Sequence, residues 1–172
     1  MKKIALMLLT SMIASMAQAD MKDYLPEAKL ASKTTGKAYV GFGLSQELVH
    51  ANAEWVTPYG IAYSKLGAFY KGGNEAGGQV GFRYPYYFTG TDANGYYFGV
   101  YGGYLDNISL DGKNYQRLGG GVDLAYVLLD KSRISSLSIG MGVAEEVVGR
   151  YGSKKYMDPQ LQIAYSLSFN VF

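Results

Sequence analysis

Ser45, Glu47 and His50 sit close together in the chain and carry a hydroxyl, a carboxylate and an imidazole. These are the groups of a nucleophile, an orienting acid and a general base, the set used by acyl-transfer hydrolases. On one continuous strand Ser45 and Glu47 would point to one side and His50 to the other, so a relay requires a turn between them. His50 is the only histidine and there is no cysteine, which removes histidine-cluster metal sites, disulfides and thiolate chemistry. Oxygen donors occur in pairs at Asn74 and Glu75 and at Asp106 and Asp111, but neither pair has the spacing of a calcium-binding loop. No metal and no cofactor is expected. The other chemistry-bearing residues are single charges inside alternating stretches: Glu54, Lys65, Arg83, Arg117, Asp123 and Glu146.

The elements that must position these groups are strands. In residues 161–172, Leu161, Ile163, Tyr165, Leu167, Phe169 and Val171 alternate with small or polar residues. This period-two pattern describes a strand with one apolar and one polar face. A tilted strand of about 9–11 residues is long enough to cross a bilayer in a β-barrel. The same rhythm recurs upstream, broken by turn signals. It predicts strands over 38–45, 49–56, 61–70, 79–88, 96–105, 115–129 and 136–148, with the last over 159–172. The first break is the least marked, because the apolar phase shifts from even positions (Val40, Phe42, Leu44) to odd ones (Val49, Ala51, Ala53, Trp55). A turn at 46–48 gives eight strands; a bulge there would give seven. Bacterial single-chain barrels use even numbers, so the expected fold is all-β, an eight-stranded antiparallel up-and-down transmembrane barrel. Its connections at 46–48, 71–78, 106–114 and 149–158 then share one end, opposite both chain termini.

The beginning of the chain has a different character. Lys2 and Lys3, an apolar run over 4–14, and Ala17-Gln18-Ala19 read as a signal peptide over 1–19, cleaved before Asp20. The remaining 153 residues (172 less 19) suit one domain, with 20–36 as a periplasmic leader and 37–172 as the barrel. Without Lys2 and Lys3 the chain carries 14 basic and 14 acidic residues (16 less 2, against 14). That balance argues against a nucleic-acid partner. The 17 tyrosines and 23 glycines fit a barrel with aromatic girdles and a narrow interior. Trp55, Tyr59, Tyr86, Phe88, Tyr96 and Tyr126 fall toward one end, and Tyr70, Tyr104, Tyr115, Tyr151 and Tyr156 toward the other.

With apolar faces toward lipid, Val80, Phe82, Tyr84, Tyr86 and Phe88 point outward, and Glu54, Lys65, Arg83, Arg117, Asp123 and Glu146 point into the lumen. Three charges of each sign sum to zero, as a plugged lumen of paired charges requires, because an unpaired buried charge costs several kcal/mol.

The ending resembles the C-terminal targeting strand of bacterial outer-membrane barrels, which the barrel assembly machinery reads. Gln162, Ala164, Leu167 and Phe169 take its places, followed by Phe172. Alanine stands where glycine is usual, and Phe172 falls on the face opposite Phe169. The runs FRYPYYF (82–88) and GYYFGVYGGYL (95–105) are similar to the middle hairpin of small, largely uncharacterised outer-membrane barrels, in the wider eight-stranded OmpA/OmpX-like class. The resemblance covers about residues 37–172. It implies a Gram-negative outer-membrane location, with outer-membrane lipids and lipopolysaccharide, the assembly machinery and a surface ligand as partners. It implies a structural, adhesive or envelope-stress role for most relatives and lipid modification for a few. The His-x-Ser arrangement of the outer-membrane deacylases near the last strands does not occur here. The expected function is therefore a non-enzymatic outer-membrane barrel with a charge-plugged lumen, serving envelope structure or surface interaction. The alternatives are a lipid A-modifying enzyme using His50 and a narrow small-solute channel.

Overall fold

The structure, a computed structural model, describes residues 30, 35–71, 73–89 and 93–172. The expected signal peptide (1–19) and most of the expected leader (20–36) lie outside the described residues. Ten strands follow in order: β1 (Ala38–Ser45), β2 (Leu48–Thr57), β3 (Gly60–Phe69), β4 (Ala76–Phe88), β5 (Gly95–Leu110), β6 (Lys113–Leu129), β7 (Arg133–Ala144), β8 (Val147–Val148), β9 (Lys154–Lys155) and β10 (Asp158–Asn170). Eight of them, β1 to β7 and β10, form a closed antiparallel barrel. Closure is made by the first and last strands, with Val40 opposite Phe169 and Leu44 opposite Tyr165. A closed ring leaves no unpaired edge. The short β8 and β9 pair with each other in the connection between β7 and β10.

Side-chain oxygens close the tight turns. Ser45 Oγ accepts from Leu48 N at 3.0 Å, so the phase change there is a turn and the barrel has eight strands. Thr57 Oγ1 accepts from Gly60 N at 3.1 Å and donates to Gly60 O at 2.9 Å. Asp130 Oδ1 accepts from Ser132 N and Arg133 N at 2.7 and 2.9 Å. Such hydroxyl and carboxylate bonds imitate the backbone bond of a turn. At the tip between β5 and β6, Asp111 and Gly112 both have positive φ, 54° and 74°, as a two-residue hairpin turn matching strand twist requires.

The outer face is apolar along the strands. Phe42, Val80, Val122, Ile139 and Ile163 are all exposed, and Leu66 is 71% exposed. The inner face differs between levels. At the end where β1 begins and β10 ends, Tyr39, Val56, Ile61, Tyr97, Val127, Leu129 and Ile134 form an apolar cluster. The expectation of a polar lumen therefore applies only above this floor. Leu30, from the segment assigned to the leader, is fully buried in the same cluster.

Two bulges account for the other departures. The β4–β5 register shifts between Pro85 and Tyr87. Proline lacks an N–H for the ladder, and the extra residue reverses the alternation. Tyr86 remains outside, but Phe88 turns inward and its ring meets Tyr97 edge-on at 6.2 Å, so its predicted outward direction is corrected. A second shift between Tyr104 and Asp106 lets β5 continue to Leu110. The expected loop over 106–114 is thus mostly strand, and β5 with β6 forms an arm reaching beyond its neighbours.

The Asp111 carboxylate fastens that arm to the connection carrying β8 and β9, accepting from Tyr151 N at 2.7 Å and from Ser153 Oγ. These bonds hold its pKa below the ordinary carboxylate value, the Ser153 hydroxyl contributing most. A depressed folded pKa means the fastening is complete above the unfolded pKa and is lost as pH falls through the folded one. The protection factor of the Tyr151 amide, the intrinsic exchange rate divided by the observed rate at the same pH, should fall at acid pH, and Asp111→Ala should lower it at neutral pH while the barrel strands stay protected.

Candidate functional site

The middle of the barrel interior holds the chemistry. On inner-facing positions, Glu54 (β2), Lys65 (β3), Arg83 (β4) and Asp123 (β6) are all buried. Asp123 Oδ2 accepts from Arg83 Nη2 at 2.7 Å and from Nε at 3.3 Å, a two-pronged pair. Arg83 Nη1 donates to Ser136 Oγ at 3.0 Å. Ser136 and Ser166 hydroxyls are 2.7 Å apart, and Ser166 donates to Glu54 Oε1 at 3.2 Å. Asn52 Nδ2 and Ser168 Oγ reach the same oxygen at 3.0 and 3.3 Å. The network runs from Asp123 to Glu54 through side chains of β6, β4, β7, β10 and β2.

Glycines make the network fit. Gly99 of β5 is paired in register with Arg83 on one side and Asp123 on the other. The two charged chains meet across it, where a Cβ would collide with Asp123 Oδ1 and lie 2.9 Å from Arg83 Cγ. Gly81 lies under the Tyr63 ring and Gly43 under the His50 ring, each opposite that residue in register. Tyr63 in turn faces both cations, with Arg83 Cζ 4.7 Å and Lys65 Nζ 5.1 Å from its ring centroid, within cation–π range.

A second cluster closes the far end. Arg117 is fully buried. It pairs with Asp106 at 3.1 Å and with Asp158, and it donates to the carbonyls of Glu145, Ala144 and Tyr156. Gln79 and Gln162 bond the Tyr104 and Leu105 carbonyls beside the β5 bulge, at 3.1 and 3.0 Å. Leu48 and Phe69 are buried at the same end.

Five of the six expected interior charges are buried inside the barrel. Glu146 is the correction: β7 stops at Ala144, and Glu146 is exposed in the following connection. The carboxylates that pair with Arg117 are instead Asp106 and Asp158. Asp106 was expected in a loop, because the bulge that keeps it in β5 leaves no mark in the alternation. Asn52, Ser136, Ser166 and Ser168 were also missed, although each shares the polar face of its strand. Of the assembly-signal positions, Leu167 and Phe169 face outward, Gln162 faces inward, and Phe172 is 89% exposed.

The Ser45, Glu47 and His50 relay is not assembled. Ser45 Oγ is engaged in its turn, Glu47 lies 3.9 Å from Lys71 Nζ, and His50 points inward with neither ring nitrogen partnered among the described residues. Asp106 and Asp111 serve separate clusters, and among the described residues no three or more acidic or histidine side chains converge as metal ligands would. What the arrangement defines is a closed eight-stranded β-barrel with an internally compensated polar core. Comparison with protein-family models, with curated proteins and with solved structures gave no match.

Removing one partner of a buried ion pair typically costs about 3–5 kcal/mol, while replacing both by apolar groups costs far less. Asp123→Ala should lower the free energy of unfolding obtained from a urea titration by that amount, and Arg83→Met added to it should restore most of the loss. Gly99→Val should cost at least ~1–3 kcal/mol by overpacking, whereas Gly102→Ala should be close to neutral, since its Cβ would meet nothing nearer than Gly119 O at 3.6 Å.

Proposed function

We propose that this protein is a non-enzymatic outer-membrane barrel whose lumen is plugged by its own charges, and that it serves envelope structure or surface interaction. The observation carrying this reading is the inversion of the barrel's two faces. Large apolar side chains such as Phe42, Leu66, Val122, Leu124, Ile139 and Ile163 stand exposed around the outside, while the charges are buried within. A barrel in water would expose the opposite set, since contiguous apolar surface of this extent calls for a partner. A bilayer is that partner for a closed barrel, because ring closure leaves no strand edge whose backbone groups would lack bonds in lipid.

Aromatic residues support the same reading. Trp55, Tyr86, Tyr87 and Tyr96 are exposed toward the terminal end, and Tyr70, Tyr104 and Tyr156 toward the other, as interfacial girdles would be. The exposed Lys113, Arg150 and Lys154 at the far end are suited to lipopolysaccharide phosphates. The signal-peptide pattern supports export, and the C-terminal pattern supports recognition by the assembly machinery. The unassembled Ser45, Glu47 and His50 favour a non-enzymatic role over lipid modification.

Expressed in a Gram-negative host, the chain should fractionate with the outer membrane and show heat-shifted gel mobility; recovery in the soluble fraction would overturn the reading. Leu124→Arg, on the outer face level with the Arg83–Asp123 pair, should cost ~2–4 kcal/mol of folding stability in lipid. His50→Ala should leave the acyl-chain masses of the outer-membrane lipids unchanged relative to wild type, and a change would favour the enzyme instead.

A further inference from the structure

Asn52, Glu54 and Lys65 bring an amide, a carboxylate and an amine together inside the barrel. Each is less than a tenth exposed. At the same level Arg83 and Asp123 answer each other in their two-pronged pair. Glu54 and Lys65 are the other two charges there, and holding charge in a low-dielectric interior is costly.

Register sets the geometry. Asn52 on β2 and Lys65 on β3 are directly opposite, and both point inward. Opposite side chains on adjacent antiparallel strands have Cβ atoms about 4.5–5.5 Å apart, a gap that the long lysine stem spans with length to spare. The carboxylate lies against the amide: Asn52 Nδ2 donates to Glu54 Oε1 at 3.0 Å. A second bond from Nδ2 to Ser168 Oγ on β10 fixes the plane of that amide. The amine turns toward the same corner, with Lys65 Nζ 5.1 Å from the centroid of the Tyr63 ring. Tyr63 is itself opposite Glu54.

We propose that Lys65 and Asn52 join as an internal isopeptide bond linking β2 to β3, with Glu54 carrying the protons. The Lys65 ammonium gives one proton to the Glu54 carboxylate, which leaves a neutral amine, the nucleophilic form of lysine. The Nζ lone pair forms a bond to Asn52 Cγ as the carbonyl π pair moves to Oδ1. Glu54 then relays a second Nζ proton to Nδ2, the leaving nitrogen it already touches. The carbonyl re-forms, the Cγ–Nδ2 bond breaks, and ammonia departs. The products are a secondary amide, ammonia and the carboxylic acid form of Glu54. Net charge is zero before and after, nothing is oxidised or reduced, and no co-reactant enters. Fixing amine and amide side by side replaces the encounter step that makes such a condensation slow between free molecules. The product removes one buried charge of each sign and leaves Arg83 with Asp123 as the charges of this level. A chain without cysteine thereby gains a covalent cross-link between neighbouring strands. The inference concerns the interior alone and stands or falls independently of the medium around the outer face.

The test is mass spectrometry of the full chain, purified folded from a Gram-negative host, then unfolded and digested with trypsin. Trypsin cuts after Lys37, Lys65 and Lys71, but not after a lysine held in an amide. The cross-linked protein should yield residues 38–71 as one peptide, lighter than its sequence by one ammonia. Separate peptides 38–65 and 66–71 at full mass would overturn the proposal. So would a 38–65 peptide lacking one ammonia but cut after Lys65, which marks closure of Asn52 on its own backbone. Glu54→Gln should abolish the link and return 38–65 at full mass, while heat-shifted gel mobility still reports a folded barrel. A link as complete as in wild type would overturn the part assigned to Glu54. If that variant does not fold, the wild-type digest decides alone.

Discussion

Space inside an eight-stranded ring is the constraint on which everything else here depends. So narrow a barrel has room for its own side chains and little more. Large inner residues are therefore admitted only where a neighbour withdraws. Arg83 and Asp123 meet because Gly99 stands between them, and Tyr63 and His50 lie over Gly81 and Gly43. The glycine content of the chain is thus tied to its interior charges. Gly43, Gly81 and Gly99 mark places where a longer chain on the next strand reaches across, while Gly41 and Gly67 lie against neighbouring backbone.

Filling the ring with charge rather than hydrocarbon creates an electrostatic demand that packing alone does not satisfy. The Arg83–Asp123 pair and the serine chain to Glu54 meet it in the middle, and Arg117 with Asp106 and Asp158 meets it at the far end. These clusters join strands distant in sequence, with Arg83 and Asp123 40 positions apart and Ser166 and Glu54 112 apart. They complement the ladders, which connect each strand only to its neighbours. The apolar floor has a different role: it uses ordinary hydrophobic burial to shut the end where β1 begins, and Leu30 is buried in the same core. Polar centre and apolar floor together account for a lumen that is filled along its length.

Departures from simple alternation follow one cause. At Pro85 and again at Tyr104 an extra residue enters β4 or β5, and every side chain beyond it changes face. The first bulge sends Phe88 into the floor. The second brings Asp106 to Arg117 and frees carbonyls that Gln79 and Gln162 bond. The far-end arm, its fastening through Asp111 and the Arg117 cluster all lie beyond this second bulge.

The period-two alternation by itself determined the all-β class and the inner direction of Glu54, Lys65, Arg83, Arg117 and Asp123, because side-chain direction in a strand is a local property that alternates residue by residue; it left seven or eight strands open at 46–48, which the Ser45 turn decided. Turn chemistry at Thr57, Asp130 and Ser45 was legible for the same reason, being settled within a few positions. Only the tertiary structure decided the partners. Which carboxylate answers Arg117, whether Glu146 or Asp106 and Asp158, depends on where β7 ends and on a bulge in another strand. That is a matter of register and ring closure, and no local pattern carries it. The relay suggested by Ser45, Glu47 and His50 failed for the complementary reason: nearness in sequence is not nearness in space when a turn occupies one residue and a strand points another inward.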